Sequence, residues 1–141
     1  MTDFSTFMDR SCGAWVSYRR YLFGRKLASG EYVTNFTIES AADKTYMIKW
    51  VGKTEGEMEV EVEGNELKRS RSYFSDEETY QVMTWIDGDA VVFNTAYDGT
   101  EYREEIRFLD DDTRLRQTVG RDQESREVTL VGQYYEIRTH E

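Results

Sequence analysis

Proline is absent from this 141-residue chain, and cysteine and histidine occur once each, as Cys12 and His140. With no proline, none of its turns is proline-built. A lone cysteine excludes an intramolecular disulfide, which fits a reducing compartment. No histidine lies near Cys12 in sequence. A small buried or half-exposed thiol therefore describes it better than a catalytic nucleophile. One Cys and one His also argue against a zinc or haem site, so no metal and no prosthetic group is expected. No apolar run is long enough to span a bilayer, and there is no signal peptide. Positive charge is scarce: 18 Lys and Arg stand against 28 Asp and Glu, a formal net charge of −10. Phosphate contacts need clustered Lys and Arg, so nucleic acid is not an expected partner. Anionic membranes should repel the chain. An anionic small ligand stays compatible if Arg residues gather inside, because local field outweighs net charge at short range.

What the chain does have is aromatics and charges together: 14% aromatic with ten Tyr, and 33% charged. That mixture suits half-buried strands, apolar inside and charged outside. The length fits one domain, 1–141, with a real core. A short helix is expected over about 3–12, capped by Thr2 or Asp3, striped by Phe4, Phe7 and Met8, and ended by Gly13. From Ala14 the period is two. Strands are expected at Ala14–Phe23, Glu31–Ser40, Thr45–Val51, Glu57–Glu63, Glu66–Phe74, Thr79–Ile86, Asp89–Tyr97 and Tyr102–Phe108, then from Thr113, and last at about Glu127–Arg138. Gly24–Gly30 reads as a turn region. Glu57–Glu63 is the plainest strand: four Glu face water while Met58, Val60 and Val62 face in. Its acid row reads as a solvated face that blocks edge pairing, or as a docking surface. Gly64-Asn65, Asp87-Gly88 and Asp98-Gly99 are hairpin signals. No βαβ spacing appears, so a parallel sheet is excluded. Ten sequential antiparallel strands after a helix favour an all-β, up-and-down barrel, which removes exposed edges and holds one small ligand.

The stretch Tyr97–Arg116 carries the candidate chemistry. Tyr102, Glu104, Ile106 and Phe108 share one face, and Arg103, Glu105 and Arg107 the other. Glu104 is then one carboxylate on an apolar, aromatic face, costly unless paired or protonated. Beyond Asp110-Asp111-Asp112 the next strand sets Arg114 and Arg116 on a single face, and Arg114 is the expected partner. The pair lines the barrel and touches a polar ligand, or it is a buried cross-strand ion pair that only fixes register.

Four segments together resemble the S-type phycobiliprotein lyases, the CpcS/CpeS group. Ser11-Cys12-Gly13-Ala14-Trp15-Val16-Ser17-Tyr18-Arg19-Arg20-Tyr21 is similar to that family's S-x-G-x-W-x-S-x-R-R-Y opening. Thr95-Ala96-Tyr97-Asp98-Gly99 with Glu104-Glu105 resembles its T-E-Y-x-G and following Glu run. Thr113-Arg114-Leu115-Arg116-Gln117-Thr118-Val119 resembles its R-T-R-Q-T-I strand. Val131-Gly132-Gln133-Tyr134-Tyr135-Glu136-Ile137-Arg138 resembles its I-G-Q-Y-L-E-K-R ending. Arg103 departs from the pattern, standing where relatives often carry another Glu.

The resemblance implies a lipocalin-like barrel of ten strands with an N-terminal helix. It also implies an activity: binding a phycobilin (phycocyanobilin or phycoerythrobilin) as substrate and joining it by a thioether to a cysteine of a phycobiliprotein alpha or beta subunit. The family's binding Glu and Arg fall on Glu104 and Arg114, its opening Arg on Arg19, and a pocket Trp on Trp50. Arg116 or Arg19 would support Arg114 on a propionate, and Trp50, Tyr102, Ile106 and Phe108 would be apolar walls. Trp15 reads as a plug in the barrel floor. The implied setting is cyanobacterial or phage-infected host cytosol, or plastid stroma, and a two-fold homodimer is the first expectation of assembly. A carrier of a bilin or another carboxylated apolar ligand, without transfer activity, is the alternative. A barrel that only docks proteins through its acidic face is a third reading.

Overall fold

The computed structural model describes residues 3–23, 26–27, 31–70 and 79–140. One helix, α1 (Phe4–Ser11), precedes strands β1 (Gly13–Phe23), β2 (Lys26–Leu27), β3 (Tyr32–Ala42), β4 (Thr45–Val51), β5 (Glu55–Glu63), β6 (Glu66–Arg69), β7 (Thr79–Asp87), β8 (Ala90–Tyr97), β9 (Thr100–Asp110), β10 (Thr113–Asp122) and β11 (Val128–Thr139). Every pairing between neighbours is antiparallel, and each strand from β3 to β10 pairs with the next in sequence. β1 pairs with β3 on one side and with β11 on the other, so the sheet closes. Among the described residues, ten strands besides the two-residue β2 thus form a lipocalin-like up-and-down barrel, and closure removes the edges that would pair with other chains. The two-residue β2 is an addition within the expected turn region, pairing with Leu22 and Phe23. The strand expected over Glu66–Phe74 is observed as Glu66–Arg69. Arg71 and Tyr73 lie outside the described residues.

Alternation sets the inside. Along β5, Met58, Val60 and Val62 are buried and the glutamates between them exposed. The Asp98-Gly99 turn has positive φ at both residues, 51° and 75°. That is the handedness that matches strand twist in a two-residue hairpin, and Gly tolerates it freely.

The helix closes one end. Asp3 caps it, its carboxylate accepting from the Ser5 N–H at 3.1 Å. Phe7 and Met8 turn inward, and the Phe7 ring meets Trp85, Phe93 and Phe108 edge-on. Phe4 stacks on Trp85 at 5.4 Å. The Tyr46 hydroxyl donates to the Asp9 carboxylate, tying the helix to β4. Arg138 of β11 donates to the carbonyls of Cys12 and Arg10, locking the helix exit to the last strand. Trp15 lies beneath, donating from Nε1 to the Ser11 carbonyl at 2.9 Å. Among the described residues no helix is long and apolar enough to cross a membrane.

Candidate functional site

Three consecutive strands bring the interior charges together. β10 points Arg114, Arg116 and Thr118 inward at two-residue spacing. β11 sets Glu136 opposite Arg114, and β9 sets Glu104 opposite Thr118. The result is one ladder. The Ser11 hydroxyl receives a hydrogen bond from Arg114 NH1 at 3.1 Å. Arg114 Nε donates to Glu136 Oε1 at 2.7 Å. Arg116 NH1 donates to Glu136 Oε2 at 3.3 Å, and its NH2 to Glu104 Oε1 at 3.1 Å. The Thr118 hydroxyl donates to Glu104 Oε2 at 3.1 Å. The guanidiniums also lie over rings: Arg114 is 4.9 Å from the Trp15 centroid and 5.4 Å from Phe36, and Arg116 is 4.9 Å from Tyr134. Such stacking offsets part of the cost of taking the cations out of water.

Both carboxylates are ionised. Burial pushes Glu136 upward, but the charges of Arg116 and Arg114 and a hydrogen bond from Ser17 outweigh it and bring its pKa to about 2. Burial also raises Glu104, yet the charges of Arg116 and Arg69, with the bonds from Arg116 and Thr118, hold it below the usual range. Glu104 is therefore an acceptor at neutral pH and not a donor. Burial lowers the pKa of Arg114, against the pull of Glu136. A guanidinium remains charged even so.

The interior is unequally hollow on the two sides of this ladder. On the helix side a small chamber of about 50 Å³ is lined by Phe7, Met8, Phe36, Ile106, Arg114 and others. Away from the helix a cavity of about 290 Å³ opens, bounded by Tyr21, Trp50, Thr79, Gln81, Tyr102, Glu104 and Tyr134 among others. Arg19, Trp50, Arg69, Glu104 and Arg116 border both. Glycine leaves room here. A methyl at Gly120 would lie 3.2 Å from the Tyr102 ring, and one at Gly132 would meet the Tyr134 hydroxyl.

The expected site residues divide between these regions. Arg19, Trp50, Tyr102, Glu104 and Arg116 face the larger cavity. Arg114 and Ile106 reach only the small chamber. Phe108 borders neither cavity and packs between Phe7 and Trp15 in the floor. Trp15 is 1% exposed in that floor, as a plug would be.

The expected Glu104–Arg114 pairing is corrected. Glu104 stands opposite Thr118, four residues from Arg114, or roughly 13 Å along the strand at 3.3 Å per residue. Its partner is Arg116, and the partner of Arg114 is Glu136. Glu104 is also not the one interior acid. Glu136, 0% exposed, is missed by sequence reasoning because Tyr135 and Ile137, its neighbours, offer the more apolar face of β11. In the barrel that face is the outer one: Tyr135 and Ile137 are exposed. The signal that could have found Glu136 is the demand of two inward guanidiniums for more than one carboxylate. Arg69, Gln81 and Thr118 are likewise site-lining residues that went unselected. Cys12 packs at the helix exit, 3.5 Å from the Met8 carbonyl, with burial pushing its pKa up.

The sequence model of a family described as CpeS-like protein matches residues 51–139. That span contains Glu104, Arg114, Arg116 and Glu136, and leaves Arg19 and Trp50 outside. The fold is similar to that of an S-type phycobiliprotein lyase, CPES, from Guillardia theta. The identity is 19%, over 99% of this chain and 94% of that one, with a TM-score of 0.74. It is also similar to a protein of unknown function from the DUF3598 family of Nostoc punctiforme, at 12% identity and a TM-score of 0.71. That match covers 94% of this chain and 49% of the other, so this chain spans about half its length. No curated protein matches the sequence.

Proposed function

The chain belongs to the CpeS-like family, and from that premise we propose that it is a phycobiliprotein lyase: it holds a phycobilin in the barrel and delivers it to a cysteine of a phycobiliprotein subunit. The observation that carries this reading is the ionised ladder ending at a cavity whose walls are otherwise largely aromatic and apolar. Among the described residues, four guanidinium groups and two carboxylates line the interior of a protein whose net charge is −10. Such a lining favours a ligand that is itself an acid. A bilin carries two propionates, several pyrrole N–H groups and a long apolar framework.

Each part of the ligand then has a counterpart. Glu104, held anionic, accepts from pyrrole N–H groups and favours the protonated, more electrophilic pigment. Arg19 serves a propionate. Its Nε donates to Ser17 at 2.9 Å, and it forms no ion pair with a described carboxylate. Trp50 and Tyr102 supply apolar wall. Arg114, being deeper, acts through Glu136 and Arg116, and keeps the ladder in register rather than touching the pigment.

The cavity lies at the low edge of the roughly 300–1,000 Å³ usual for small-molecule sites, so part of a tetrapyrrole extends through the mouth. The helix closes one end, so pigment and acceptor thiol both approach from the end away from it. There the thiol sulfur attacks the A-ring ethylidene carbon, a C–S bond forms, and the thiol proton ends on the ring carbon across the former double bond. The step is an addition with no leaving group and no oxidant. The protein's part is to present one face of the ring. The nucleophile belongs to the acceptor, which suits the half-buried thiol of Cys12, whose pKa burial pushes up.

The proposed setting is that of the acceptor, cyanobacterial or phage-infected host cytosol or plastid stroma. The proposed two-fold homodimer is read by sedimentation equilibrium. The test of function is incubation with phycocyanobilin or phycoerythrobilin and a purified apo-subunit. Acid-stable colour on the acceptor is the expected result. Bound pigment with no covalent colour on any subunit would make the protein a carrier, and no bound pigment would end the proposal.

A further inference from the structure

Gln81 sits on the inward face of β7 between Thr79 and Met83, and all three are buried. It is 5% exposed and borders the larger cavity. Its Oε1 has no hydrogen-bond partner among the described residues. A buried amide acceptor left without a donor loses its hydration with nothing in return, so native interiors rarely keep one without an outside donor. Water can serve while the cavity holds no ligand. A ligand that fills the cavity displaces that water and has to supply the donor itself.

The chemistry of the side chain narrows the ligand group. A carboxylate accepts only and a guanidinium donates only, whereas a primary amide presents an acceptor and a donor side by side. Gln81 is the one amide among the described residues bordering this cavity. Its complement is a group with N–H and C=O adjacent in the same plane, which is a lactam. In a bilin the inner rings carry the propionates and the two end rings are lactams. We propose that Gln81 reads a terminal lactam ring of the bilin through a paired N–H···O=C contact, and so sets which end of the pigment lies within the barrel. This rests on the bilin-binding reading above. The ligand's three polar functions are thereby sorted onto separate walls: inner-ring N–H groups to Glu104 on β9, a propionate to Arg19 on β1, and a lactam to Gln81 on β7. Fixing the end ring fixes the A-ring's place relative to the mouth.

The test compares the wild-type protein with Gln81→Leu, and with Gln81→Met as a straight-chain variant that preserves packing. Each is titrated by visible absorbance with phycocyanobilin and with its lactim ether, in which the lactam N–H is gone. Both variants are expected to bind phycocyanobilin about tenfold more weakly than wild type, the equivalent of losing about 1.4 kcal/mol. They should bind the lactim ether as wild type does, with no loss of melting temperature. Wild-type affinity for phycocyanobilin in either folded variant would overturn the assignment while leaving the bilin site standing. An equal loss for both ligands would mean a packing role and also overturn it. A wild-type protein that binds neither would sink the bilin reading itself.

Discussion

Glu136→Gln removes one negative charge from the middle of the ladder while keeping the side chain's shape. Glu136 is fully buried and takes hydrogen bonds from Arg114 and Arg116. The amide retains one acceptor oxygen but turns its NH2 toward a guanidinium that can only donate. Two routes give the cost. The carboxyl's pKa falls from 4.5 to about 2, and at 1.36 kcal/mol per pH unit that is roughly 3 kcal/mol. Breaking a buried ion pair by removing one partner costs roughly 3–5 kcal/mol. A loss of about 3 kcal/mol lowers Tm by roughly 6–12 °C for a chain of this size. The pH dependence adds a sign. The folded pKa lies below the unfolded one, so this stabilisation is present above pH 4.5 and is lost as pH falls toward about 2. The gap between wild type and Glu136→Gln should be widest at pH 6–8 and close in acid. Calorimetry or urea unfolding at a series of pH values measures it. Equal melting at pH 7, or a gap that stays constant down to pH 3, would refute the claim that Glu136 is an ionised keystone.

Arg19→Leu should weaken binding of a bilin with free propionates about tenfold and leave binding of its dimethyl ester unchanged, as absorbance titration will report. Stability should move little, since among the described residues Arg19 has one side-chain hydrogen bond, to Ser17, and one ring contact, with Tyr134. Thr118→Val deletes the bond to Glu104 Oε2 and should cost about 1 kcal/mol, typical of one hydrogen bond, in urea unfolding. The carboxyl should then titrate at higher pH, because a bond to its charged form is gone. Cys12→Ser should leave covalent transfer intact in the subunit assay, because the reacting thiol is the acceptor's.

Much of the barrel was legible because period-two alternation is written into each strand. Glu57–Glu63 shows its faces directly, and Asp98-Gly99 marks a hairpin that the backbone confirms with two positive φ angles. Long-range facts were not so written. Closure joins β1 to β11 across most of the chain, from Ala14 with Thr139 to Phe23 with Leu130. Ladder partners depend on register, which shifts at Thr113/Arg114 where β10 meets β9. Parity alone therefore placed Glu104, Arg114 and Arg116 inside but could not say which of them touch. Glu136 was hidden because β11 reverses the usual rule, turning Glu136 in and Ile137 out. The depth of Arg114 and Phe108 depends on which end the helix closes, and that is a tertiary fact.

The anionic acceptor at Glu104 is tested most directly by the visible spectrum of bound phycocyanobilin in wild type and in folded Glu104→Gln. With Glu104 charged, the wild-type complex should show the long-wavelength band of a protonated pigment. The glutamine variant should lose that red shift and bind more weakly. Identical spectra and affinities in the two proteins, or a wild-type protein that leaves the free pigment's spectrum unchanged, would contradict it.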